Sequence, residues 1–366
     1  MSRLAYLLQR IVLSIPVVIF GTSLTFIILY AGPIDPVAAI LGPQHANGPQ
    51  AQEIRRQLNL GAPLWSRYFD FMKDLLTFNL GQSWVFAPQT PAFDVIVHFI
   101  PRTLWMGAWA VLLPLFIGIP LGFYAGLNPN TLGDYTASFS GIVWRAMPNF
   151  WLAVILMQLL SSSEGATMGL VSLLNGLPLI HGLQPFNWET FLVTTTVVGP
   201  PQLGQLLGPE HFLGPLPAPN WSNLIAATKK ILPASIILGS ASMGNEMRIG
   251  RTAMLESKNS NYVEMARAKG LPERTIVWKH IFRNALIPLI PVITAEAFLL
   301  IGGAVLIEYV FAINGIGYVF LQAMMNGDVP LAGALMYMFI LLLVSLNIIQ
   351  DILYTIVDPR VGFEGK

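Results

Sequence analysis

The sequence predicts an all-α integral membrane protein with about six transmembrane helices and further helical segments outside the bilayer. Three observations predict it. Charged residues make up only 11% of the 366, and AVILMFWYC residues make up 54%, whereas a soluble domain carries about 25% charge. Apolar runs of roughly 18 residues or more recur along the chain. The charges gather between those runs, with eight Lys and Arg in residues 248–283.

The first run, residues 11–30, follows Arg3 and Arg10. It exceeds the ~7–15 residues of a signal-peptide core and no A-x-A site follows it, so it is expected to be a retained span. Residues 32–102 mix Arg55, Arg56, Arg67 and Lys73 with Asp35, Glu53, Asp70, Asp74 and Asp94. Stretches 53–60 and 65–78 have helical spacing on either side of Gly61-Ala62-Pro63, which predicts a small helical cap. Spans are expected next at 103–127 and 137–160, joined by a loop whose one charge is Asp134.

Residues 161–228 are rich in Gly, Pro, Asn and Ser. Within them, 165–183 is apolar but interrupted by Gly165, Gly169, Asn175, Gly176 and Pro178, which predicts a re-entrant or surface segment. The fourth span, 231–247, contains Pro233 and the small residues Gly239, Ser240, Ala241, Ser242 and Gly244. Such residues suit close helix packing or a ligand. Spans at 289–311 and 331–357 complete the set.

Basic residues orient these spans. The eight in 248–283 place that loop in the cytoplasm by the positive-inside rule. Six spans then put both termini inside, in keeping with Arg3, Arg10, Arg360 and Lys366, while Lys229 and Lys230 are exceptions at the outer end of the fourth span. The expected organisation is an N-terminal span (1–31), an external segment (32–102), a core (103–357) and a cytoplasmic tail (358–366). The core carries an external insertion at 161–228 and a cytoplasmic loop at 248–287.

Chemistry concentrates in NYVEMARAKGLPERTIVWKHIFRNALIP, residues 261–288. Asn261 is a good N-cap, and Glu264 three residues later can return a hydrogen bond. Met265, Ala266, Arg267, Ala268 and Lys269 favour helix, Gly270 suits the left-handed position after it, and Pro272 stops continuation beyond Leu271. Ala266 and Gly270, four apart, predict a face of little bulk that another chain could approach. The same charges could instead serve only to set topology.

Other chemistries lack their residues. There is no cysteine, no G-x-x-x-x-G-K-[ST] loop for nucleotide phosphates and no H-E-x-x-H or G-x-S-x-G. The histidines His45, His98, His181, His211 and His280 are scattered without metal-ligand spacing. Arg145 and Glu296 fall inside expected spans, where ionisable groups are expensive. Either they face a pathway, or Glu296 pairs within the bundle and Arg145 reaches an interface.

The Glu264-x-Ala266-x-x-x-Gly270 pattern resembles the EAA loop of ABC importer permeases. E-M-A-R-A-K-G-L-P-E-R followed by H-I-F-R-N-A-L-I-P is similar to the dipeptide/oligopeptide (peptide/nickel) permease family. So are Ala31-Gly32-Pro33-Ile34-Asp35-Pro36, Asn79-Leu80-Gly81-Gln82-Ser83, Pro101-Arg102-Thr103-Leu104, Pro148-Asn149-Phe150-Trp151, Glu308-Tyr309-Val310-Phe311 with Gly315-Ile316-Gly317, and Asp358-Pro359-Arg360. Met265 departs from the Ala of the generic loop, and 161–228 is longer than the family usually shows.

The resemblance implies an ABC type I importer permease fold in the cell membrane, with no enzymatic activity or cofactor in this chain. ATP and Mg would be bound by two ABC ATPase subunits docked on Asn261, Glu264, Met265, Ala266, Arg267, Ala268, Lys269, Gly270 and Leu271. A homologous second permease and an external substrate-binding protein would complete the assembly, with lipid around it and no nucleic acid. Peptides are the implied cargo. Nickel chelates, glutathione and oligosaccharides are the alternatives, and an ion-coupled carrier or channel is a rival class.

Overall fold

The computed structural model describes residues 3–32, 35–161, 221–294 and 305–357. Within them the chain is helical, with one isolated antiparallel bridge, Gln82 to Pro91. Helix α1 is Arg3–Tyr30. Short helices α2 (Pro36–Leu41), α3 (Pro49–Gln57) and α4 (Leu64–Leu76) follow; α4 lies where its spacing predicted, while α3 starts four residues before the expected 53–60 and ends at Gln57. Next come α5 (Ala92–Leu127), α6 (Leu132–Ala146) and α7 (Asn149–Ser161). After the undescribed stretch come α8 (Trp221–Lys258), α9 (Asn261–Ala268) and α10 (Glu273–Thr294). Helices α11 (Val305–Val310), α12 (Ile316–Met325) and α13 (Val329–Val357) close the described chain.

Four of these segments are long and apolar enough to cross a membrane: Leu8–Tyr30, Ala92–Leu127, Glu273–Thr294 and Val329–Leu353. The pair α6–α7 could supply a fifth, but it bends by 89°, so the expected straight span at 137–160 is corrected. Pro148 disfavours helical geometry in the residue before it, and Met147 is extended (φ −86°, ψ 124°). Helix α8 is also far longer than its expected span. Its 38 residues reach about 57 Å at 1.5 Å per residue, taking in residues 221–228 and 248–258. Helix α10 likewise begins at Glu273, inside the expected loop. The segment 165–183 lies outside the described residues.

Helix α8 is the central post, packed along α5 and α6. Small residues make this possible. A Cβ on Gly239 would collide with the Ala110 carbonyl of α5, and one on Gly244 with the Gly141 carbonyl of α6, so backbones meet directly. Helix α1 leans on α13, and Arg10 Nε lies 3.1 Å from Asp351 Oδ2 between their ends. Most of the remaining α1 surface is exposed apolar side chain, including Ile11, Val12, Phe20 and Ile27, as a lipid-facing helix requires.

At the end away from residues 248–283, the small helices cover the bundle. Phe71 of α4 packs against Phe26 and Tyr30 of α1. The turn Ser83–Phe86 wraps the fully buried carboxylate of Asp328, which caps α13. Asp328 accepts from Ser83 Oγ and from the amides of Trp84 (3.1 Å), Val85 (3.0 Å) and Phe86 (3.0 Å). Ser83 Oγ in turn accepts from the Ala87 amide at 2.9 Å.

Candidate functional site

The basic end of the bundle carries the capped helix that the sequence singles out. Its start lies one residue earlier than expected. Ser260 is the N-cap, with extended geometry (φ −85°, ψ 148°), and Asn261 is already helical. Ser260 makes no side-chain cap bond, because its Oγ donates to the Ser257 carbonyl at 2.6 Å. The expected Asn261–Glu264 capping box is therefore corrected. The C-terminal end follows the sequence closely. Gly270 has φ +73°, its amide donates to Arg267 O (2.9 Å), and the Leu271 amide donates to Ala266 O (3.3 Å). These two bonds form the six-residue closure that satisfies the last carbonyls. Arg267 Nη2 reaches Glu273 Oε1 at 3.2 Å across the turn.

The face of α9 that turns inward is not the one the small residues suggested. Val263 (0% exposed) and Ala266 (6%) pack into the bundle with Met254 of α8, Ile119 and Phe123 of α5, and Ile276 and Ile281 of α10. Ala266 is small so that α9 can lie close to its own chain, while Gly270 stands in the open with nothing within 4 Å of a Cβ built on it. Burying Val263 stabilises this arrangement by about 1.5–3 kcal/mol. The exposed face consists of Asn261, Tyr262, Glu264, Met265 (60%), Arg267, Ala268 and Lys269, continued by Leu271. Tyr262, and Trp278 on the first turns of α10, are exposed aromatics there that sequence reasoning passed over.

Two further contacts lock the helix ends beneath α9. Lys258 Nζ donates to Leu127 O at 2.7 Å, tying α8 to the end of α5. Arg251 grips Asp134 through both nitrogens, Nε to Oδ1 at 2.5 Å and Nη2 to Oδ2 at 2.7 Å. Asp134 also accepts from the Asn130 amide (3.0 Å) and Ser138 Oγ (3.3 Å). The hydrogen bond from Arg251 is the main reason its carboxyl drops from an ordinary 3.8 to about 2.

A depressed carboxyl adds stability that is complete above its unfolded value and is lost as pH falls through the folded one. Asp134→Asn should therefore melt below the native protein at neutral pH. The gap, followed by thermal unfolding in detergent, should narrow as pH falls from about 4 towards 2. A gap that stays constant over that window would mean the ion pair does not set it.

The other sequence-selected residues separate. Arg145 is exposed in the last turn of α6, at the bend, and Glu296 lies outside the described residues. Three buried carboxylates escaped notice as sites: Asp328, Glu246 on α8 and Glu308 on α11, all 0% exposed. Glu308 accepts from Thr103 Oγ1 of α5 and from the Tyr318 amide of α12, each at 2.7 Å. The Ile316 amide donates to Thr103 Oγ1 at 2.9 Å, so the Glu308 carboxyl and Thr103 together hold the first turn of α12. Gly315 and Gly317 are small because a Cβ on either would crowd Glu308.

Comparison with known proteins agrees with this architecture. Residues 118–363 match the family of binding-protein-dependent transport system inner membrane components, and residues 3–106 match the N-terminal domain of such membrane components. The chain is 30% identical over 359 residues to the oligopeptide transport system permease protein AppB of Bacillus subtilis, covering 98% of this chain and 99% of that one. It is 30% identical over 358 residues to the di/tripeptide transport system permease protein DppB of Pseudomonas aeruginosa, covering 98% of each. With the dipeptide transport system permease protein DppB of Escherichia coli it shares 27% identity over 360 residues, again 98% of each.

Proposed function

The chain belongs to the family of binding-protein-dependent transport system inner membrane components, and from that membership we propose that it is the permease subunit of an ATP-driven importer of di- and oligopeptides. The observation that carries the mechanism is the placement of α9. It rests its inner face on the ends of three long helices and presents its outer face, with its C-terminal end closed at Gly270, at the basic end of the bundle.

In this reading the basic end is cytoplasmic and both termini lie there. Two ATPase subunits bind ATP and Mg, and each docks a groove on the exposed face of one permease. The residues assigned to that contact are Asn261, Glu264, Met265, Arg267, Ala268, Lys269, Gly270 and Leu271, joined by Tyr262. Closure of the ATPases draws α9 and its counterpart in a second, homologous permease towards each other. Val263 and Ala266 pass that displacement to α5, α8 and α10 through side-chain packing, and interiors this dense transmit strain. An external binding protein loaded with peptide meets the opposite end, where α2–α4 lie, and favours one state of the bundle by differential affinity. Arg145 is assigned to the path itself.

Reconstituting the permease pair with its ATPases and binding protein in vesicles tests this. A labelled tripeptide should accumulate only when ATP and the binding protein are supplied together. Accumulation driven by an ion gradient, with no ATPase present, would place the chain among carriers instead.

A further inference from the structure

Where α6 breaks, a cleft of about 520 Å³ opens between it and α8. That volume falls within the ~300–1,000 Å³ of sites for small ligands. Arg145, Arg248 and Arg251 line it with Gly141, Ile142 and Thr252, and no Asp or Glu does. The three guanidiniums are not equally committed. Arg251 is held by Asp134 on both nitrogens. Among the described residues, Arg248 makes only a long contact, 3.4 Å, to Asn245 Oδ1 on its own helix. Arg145 has no ion pair among the described residues.

Two features set this cleft apart from an ordinary basic patch. The first is position. Arg145 stands on an apolar segment, with exposed Phe139, Ile142 and Val143 before it on α6. A guanidinium there is expensive unless a partner or water meets it. The second is the bend. A change of direction of 89° around Met147–Pro148 interrupts the helical hydrogen bonding. At membrane depth, irregular backbone is tolerated only where protein covers it or where it lines a watery cavity.

We infer that this cleft is a binding subsite for an oxyanion, a carboxylate or phosphate group gripped between Arg145 and Arg248. Guanidinium is suited to such a ligand because its planar fork matches two oxygens at once. The charge of the cleft is the same whatever carries the anion. One source is the C-terminal carboxylate of a peptide in transit, and this part rests on the import reading above. The other is the phosphate of an anionic lipid.

The test uses the complete transporter in vesicles, with Arg145→Gln and Arg248→Gln. Uptake of trialanine as the free acid is compared with uptake of its C-terminal amide, in neutral lipid with and without phosphatidylglycerol. The binding protein is common to native and variant complexes, so a variant's change in the acid-to-amide ratio belongs to the permease. If the peptide carboxylate fills the cleft, each substitution lowers that ratio about ten-fold, the size of losing one charge-assisted hydrogen bond. If lipid phosphate fills it, phosphatidylglycerol alters native uptake of both forms and the substitutions abolish that response.

Either result supports the site and identifies its source. Variants that keep both the native ratio and the native lipid response overturn it. Should the glutamine variants fail to assemble, Arg145→Lys and Arg248→Lys retain the charge but lose the fork, and the same comparisons decide the question. A native complex that moves neither peptide sinks the import reading alone. The phosphatidylglycerol comparison, read as ATP turnover, then decides the cleft.

Discussion

Gly270→Arg is expected to strip the ATPase subunits from the purified complex while leaving the bundle folded. The position separates the two effects well. A Cβ at residue 270 meets no atom within 4 Å, so an added side chain has room. The backbone at φ +73° adds roughly 1–2 kcal/mol of strain for a non-glycine residue. The packed side of α9, Val263 and Ala266, faces the other way. A long cation projecting from the exposed end of α9 should therefore obstruct a docking groove without disturbing the core.

Affinity purification through the permease should recover ATPase at no more than about a tenth of the native level, a change of ~1.4 kcal/mol or more in association. Thermal melting of the permease should move by only a few degrees. Ala266→Leu is the matched opposite, since it forces added bulk into a closed interface, and it should lower both folded yield and ATPase recovery. Native recovery with Gly270→Arg would mean that α9 is not the docking element.

Asp328→Ala should release the Ser83–Phe86 turn from the bundle and cost on the order of 3–5 kcal/mol. The carboxylate is fully buried and takes four hydrogen bonds from that turn. Truncation leaves three amides and a hydroxyl without their acceptor, and each buried orphan costs about 1–3 kcal/mol before local relaxation. Ser83→Ala removes that hydroxyl donor and also the acceptor of the Ala87 amide, and should cost about 1.5–3 kcal/mol. Hydrogen exchange at residues 84–86 is the direct measurement. In Asp328→Ala those amides should exchange at least a hundred-fold faster, and unchanged protection would show that the turn is held by other contacts.

What was legible in the sequence was local. Long apolar runs announced α1, α5 and α13, and Gly270 with Pro272 announced the end of α9, because each depends only on neighbours in the chain. The side on which α9 packs was not legible. Small residues at 266 and 270 suit a partner and the parent bundle equally, and only the position of Met254, Ile276 and Ile281 decides between them.

The bend in the third apolar run was half visible. Pro148 marked it, but the hydropathy on both sides concealed that the helix turns away. Asp328 with Ser83 and Glu308 with Thr103 were illegible for a different reason. Their partners stand 245 and 205 residues apart, and nothing in either local sequence names the other. Asp134 gave no signal alone, since its meaning comes from Arg251, 117 residues away.

The pairing of α1 with α13 has a consequence for how the molecule is made. Gly21 of α1 meets Ile340 of α13, so α1 must wait for a partner 319 residues further along the chain. At about 5–20 residues per second that interval is on the order of 15–60 s. Until then the first helix can rest on α4 but lacks its long neighbour, and lipid or a chaperone must occupy the vacant flank. The contact between α1 and α13 thus forms only after α13 has been made. A chain cut short before residue 329 would leave an open-sided bundle for the cell's quality control to recognise.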